Sequence, residues 1–128
     1  MNVLYEMNDG DYIGEIVDLA TDETSDGCPK VTWVIRILDG EYDGACVEKK
    51  YYLKNQKVID FLKKEFKLAG HEINSSDDME AKKADIIGTQ IKFSAVNNDA
   101  GFLVFYVKGL MKDSTWTPFK DEKKKKAW

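Results

Sequence analysis

The sequence predicts a mainly β fold: one small domain whose five strands close, or partly close, into a barrel, with one helix between the third and fourth strands. Three observations lead there. Several segments alternate apolar and polar residues with a period of two and are bounded by Gly, Asn and Asp clusters, the pattern of half-buried strands. Only one stretch, near the middle, carries strong helical spacing. The chain has 128 residues, 43% of them hydrophobic, which is enough for one core but not for two.

Tyr12–Leu19 reads as the first strand, with Gly14 as a bend or bulge. Thr21–Pro29 is dense in turn formers and reads as a loop. The second strand is the clearest: Val31, Trp33, Ile35 and Ile37 alternate with Lys30, Thr32, Val34 and Arg36. That parity puts Trp33 with the aliphatic residues in the core. Asp39–Gly44 is a turn, and Ala45–Leu53 returns as the third strand of a hairpin. Lys49 breaks the inward parity of Val47 and Tyr51, which predicts a bend or bulge there. Asn55 stands at an N-cap position, Lys57–Ala69 has apolar residues at 58, 59, 62, 66 and 69, and Gly70 follows as the helix stop. Asn74–Asp77 would cap a weaker helical turn through about Ala84. Gln90–Val96 and Phe102–Lys108 are the last two strands, joined through Asn97–Gly101. From Asp113 the sequence turns polar and lysine-rich, so the expected division is a domain over 1–112 and an extended tail over 113–128. A helix between strands three and four is the order of the five-stranded OB barrel, and closure removes exposed strand edges. The expected fold is therefore OB-like.

The net charge of −4 conceals a partition along the chain. Residues 1–28 carry −8 and 71–90 carry −3, whereas 29–70, 91–112 and 113–128 carry +3, +2 and +2. The cationic stretches coincide with the central and late strands and the tail. A basic stripe on an anionic molecule would attract polyanions selectively.

Strand parity places Lys30 and Arg36 on the outer face of strand two, and Lys50 and Tyr52 on that of strand three. Lys92 takes the same face on strand four, and Phe102, Tyr106 and Lys108 take it on strand five. Cations interleaved with flat rings suit single-stranded nucleic acid: phosphates meet Lys and Arg, and unpaired bases stack on rings with little regard to sequence. The expected contacts are Lys30, Arg36, Lys50, Lys54, Lys92 and Lys108 to phosphates, with Tyr52 and Tyr106 stacking on bases. Phe102 reads as a packing residue.

Other chemistries find little support. Cys28, Cys46 and His71 lack the paired spacing of a zinc site, and no metal or cofactor is expected. Asp39, Glu41 and Asp43 alternate like the start of a calcium loop, but its twelfth position would be Lys50. Asp77, Asp78 and Glu80 suit a helix N-terminus. There is no glycine-rich phosphate loop and no Gly-x-Ser-x-Gly elbow, so a non-catalytic protein is expected. No apolar run approaches the ~18 residues of a membrane span, and no secretory signal opens the chain, which predicts a cytoplasmic location.

Several segments resemble a family of small phage and prophage proteins found among replication and recombination functions. They are Gly10-Asp11-Tyr12 with Glu15-Ile16, Thr24-Ser25-Asp26-Gly27, Ile37-Leu38-Asp39-Gly40-Glu41-Tyr42-Asp43-Gly44, Phe61-Leu62 and Leu68-Ala69-Gly70. The resemblance spans roughly residues 8 to 110. It implies an OB-type single-stranded-DNA-binding protein, working in the bacterial host cytoplasm beside replication or recombination proteins. One departure is the C-terminus. Many such proteins end in an acidic tail, whereas here Asp121-Glu122 is followed by Lys123–Lys126 and Ala127-Trp128. The expected function is non-catalytic binding and protection of single-stranded DNA. The alternative is a protein-interaction module that docks a replication or host protein through its acidic N-terminal segment. An open edge strand would also allow a homodimer through strand pairing.

Overall fold

The computed structural model describes residues 3–111, and the expected lysine-rich tail lies outside them. The fold is mainly β. Five strands, β1 (Gly10–Glu23), β2 (Pro29–Ile37), β3 (Cys46–Tyr52), β4 (Gln90–Asn97) and β5 (Leu103–Leu110), form one antiparallel sheet in the order β3-β2-β1-β4-β5. No ladder joins β3 to β5, so the sheet is open where a closed barrel was expected.

The connection between β3 and β4 holds three helices rather than the one expected: α1 (Gln56–Leu68), α2 (Ser76–Ala81) and α3 (Lys83–Ile86). The Asn55 side chain accepts from Val58 N at 3.1 Å and starts α1, while Gly70, at φ 87°, ends it in a conformation that favours glycine. Ser75 caps α2 in the same way. The weaker helical pattern after Asn74 was hard to read because its short helices bury only Met79 and Ile86.

The inward parity of β2, β3, β4 and β5 is as the sequence indicates. Val31, Trp33, Ile35 and Ile37 of β2 are buried, as are Ile91, Phe93 and Ala95 of β4 and Phe105 and Val107 of β5. Helix α1 covers this core with Leu62 and Phe66, and Phe66 lies 4.8 Å from the Trp33 ring, centroid to centroid. Trp33 is a packing residue.

Neither expected bulge stands where the sequence suggests it. β1 has no bulge at Gly14, where its register with both β2 and β4 is unbroken; its register with β2 shifts between Ile16 and Asp18. Gly14 serves close packing instead, because a Cβ there would stand 2.5 Å from Ile35 Cγ2 and 2.9 Å from Phe93 Cε1. β3 has no bulge at Lys49, and its register with β2 runs unbroken from Cys46 to Tyr52. Lys49 stays on the inward parity because it is neutralised inside.

Candidate nucleic-acid interface

Antiparallel pairing brings the acidic first strand against the cationic second. Asp22 faces Lys30 and Glu15 faces Arg36 across the β1–β2 ladder. Their side chains form ion pairs of 3.7 Å and 3.1 Å. On β3, Lys50 pairs at 3.6 Å with Glu48, two residues away on the same face. The charge segregation seen along the chain is thus reduced on the outer face of β1, β2 and β3. Lys54 and Lys108 are exposed and form no ion pair among the described residues. Lys92 is half-buried on β4, opposite Gly109 of β5.

The seam between β3 and β5 is bridged by side chains. Lys49 Nζ lies 2.9 Å from Glu65 Oε1 of α1 and donates to the Phe105 carbonyl of β5. Glu65 also accepts from the Tyr51 hydroxyl and, at 2.7 Å, from Val107 N. One acceptor and one donor of the β5 edge are thereby satisfied without a neighbouring strand. Lys49 of β3 reaches Phe105 of β5, while Tyr51 and Val107 meet on Glu65, so the two strands run side by side in the same direction. The Lys49 ammonium also sits 4.7 Å from the Tyr51 ring centroid, 5.3 Å from Phe61 and 5.8 Å from Tyr106.

Outside this plug the seam opens into a groove of about 450 Å³. Glu48, Lys49, Lys50 and Tyr52 line one wall, Phe102–Phe105 line the other, and Leu4 and Tyr5 contribute as well. Three exposed rings border the groove: Tyr5 at 77% exposure, Phe102 at 68% and Tyr52 at 44%. Phe102, expected to pack, is therefore free to stack. Tyr106 is 39% exposed, but it meets Phe61 edge-on at 6.4 Å and lies 6.0 Å from Lys108 Nζ. No protein-family model matches the chain, and no curated protein matches it.

The structure thus brings Lys50 and Tyr52 to the groove, leaves Lys54 and Lys108 exposed, and places Lys30 and Arg36 beside carboxylates. Sequence reasoning missed Tyr5 because the first residues show no strand pattern. Its position depends on Val3 pairing in parallel with Cys46, where Leu4 N donates to Cys46 O at 2.7 Å. Burial drives the Lys49 pKa below its usual range, against the pull of Glu65. Burial likewise raises the Tyr51 phenol, with the Glu65 charge adding to the shift. At the far end of α1, His71 Nε2 lies 2.9 Å from Thr89 Oγ1. Burial holds His71 below the ordinary value of 6.5, with Asp85 opposing the shift and Lys82 reinforcing it. Among the described residues no three His, Cys, Asp or Glu side chains gather as a metal site would need, and no helix is long and apolar enough to cross a membrane.

Proposed function

We propose that this chain is a non-catalytic, OB-like module that binds single-stranded DNA with little sequence preference and protects it during phage-type replication or recombination. The observation that carries the reading is the gathering of exposed Tyr5, Tyr52 and Phe102 rings around one groove. Each ring offers a flat face to an unpaired base, and base–aromatic stacking contributes about 1–3 kcal/mol per base whatever the sequence. The strand order supports an OB-like assignment, since it is that of a five-stranded barrel opened between strands three and five, and OB barrels are partly open. Lys50 at the groove, with Lys54 and Lys108 exposed and in no ion pair among the described residues, supplies positive charge for phosphates. Lys30, Arg36 and Lys92 lie along the extension of the path, where Lys30 and Arg36 reach a phosphate only by giving up their carboxylates, and the salt dependence of binding reads whether they do. Tyr106 serves as a further ring at the edge of the path.

A fluorescence titration with oligothymidine at low salt tests the reading. Tyr52→Ala and Phe102→Ala should each weaken binding by roughly 5- to 150-fold, the range that stacking implies, while the protein stays folded. Absence of binding by the folded wild-type chain overturns it. Co-purification of a basic protein partner without any oligonucleotide shift would favour the alternative, in which the acidic N-terminal segment docks a protein.

A further inference from the structure

The β3 edge that faces the groove has main-chain groups left over. The carbonyls of Cys46 and Tyr52 point away from β2, accepting from Leu4 N at 2.7 Å and Lys54 N at 2.8 Å. Along an antiparallel strand, alternate residues turn their N–H and C=O to the same side. Glu48 and Lys50 lie between those two, so their N–H and C=O groups also point to the seam, where no partner stands among the described residues. The β5 side is different: Phe105 O and Val107 N are taken by Lys49 and Glu65. The unpaired donors and acceptors of β3 thus lie along the groove that Tyr5, Tyr52 and Phe102 border.

Resting on the single-stranded-DNA reading, we infer that the main-chain N–H and C=O groups of Glu48 and Lys50 hydrogen-bond the Watson–Crick edge of a base held in the seam groove by those rings. A strand edge offers a donor and an acceptor side by side. The Watson–Crick edge of each of the four bases offers an adjacent donor and acceptor in return, so the contact tolerates every base but demands that it be unpaired. Discrimination of single strands from duplex then comes from the β3 backbone together with the stacking rings, and the cations supply only affinity. An arrangement of this kind also explains how an edge strand next to exposed rings could be useful without recruiting another polypeptide.

Two oligomers of equal length, one of thymidine and one of N3-methylthymidine, separate the possibilities. The methyl group blocks the Watson–Crick edge and leaves phosphates and ring faces in place. The methylated oligomer should bind at least about tenfold more weakly, the loss expected for one or two hydrogen bonds with an added steric clash. In the wild-type protein, oligothymidine should also shift the backbone amide resonances of Glu48 and Lys50. Equal affinity for the two oligomers, or amides that do not move, overturns the inference and leaves the DNA-binding reading standing. Failure of both oligomers to bind overturns the reading itself, and this inference with it.

Discussion

Glu65 holds a lysine, a tyrosine hydroxyl and a backbone N–H from two different strands at once, although it is almost wholly buried. Removing one partner of such a pair leaves an uncompensated buried charge, at a cost of about 3–5 kcal/mol. Glu65→Ala should therefore lower the unfolding free energy by that order in a urea titration. Lys49→Met combined with Glu65→Leu should lose much less, because neither charge is then stranded. Equal losses in the single and double variants would show that the pair is not the cause. His71 makes a prediction of opposite character. Its folded pKa lies below 6.5, so between that folded value and 6.5 the unfolded chain binds more protons than the native one. Stability from His71 is complete above 6.5 and declines as pH falls toward the folded pKa. Thermal melts from pH 7.5 to 5 should show this decline, and His71→Gln should flatten it. At this scale the sequence misled at Phe102, which is exposed rather than packed, and at Lys49. Lys49 looked like a flaw in the strand because its partner Glu65 sits on a helix, and no spacing rule links an odd lysine in a strand to a helical glutamate.

Elements were more legible than their irregularities. Period-two parity located the inward faces of β2, β3, β4 and β5, and Asn55 and Gly70 marked the ends of α1, because those signals are local. The β1 register shift lies in its ladder with β2, just past Glu15 where the ladder with β4 ends, and a single strand's sequence does not record where two ladders meet. Gly14 shows the difference: it reads as a bend or bulge, yet its register is unbroken and it provides clearance for Ile35 and Phe93. Gly14→Ala should destabilise the fold by about 1–3 kcal/mol through overpacking against Ile35 and Phe93. Chemical denaturation would measure this, and a neutral result would mean that β1 can move away from β2 and β4 at small cost. Strand ends were also read short, since the outer residues of β1 up to Glu23 are exposed and carry no alternation signal.

Across the molecule, charge is the quantity that the linear sequence represented least well. Segment totals separated acids from bases, but the sheet order sets acidic β1 directly beside cationic β2. Lys30 and Arg36 therefore stand next to carboxylates of β1, and Lys50 stands next to Glu48 of its own strand. Counterion release from single strands gives a slope of about −0.7 per phosphate neutralised. If two or three phosphates are met, log K against log salt should fall with a slope of roughly −1.5 to −2. A slope near −4 would mean that all six cations engage and the carboxylates yield. The same sheet order bears on synthesis. Strand β1 is made first but reaches its neighbour β4 only after three helices have followed, so a nascent chain holding β1, β2 and β3 alone carries two bare edges. Ribosome-bound or truncated forms that stop before β4 are thus the species most exposed to aggregation, and co-expression of the missing β4–β5 hairpin is the natural remedy.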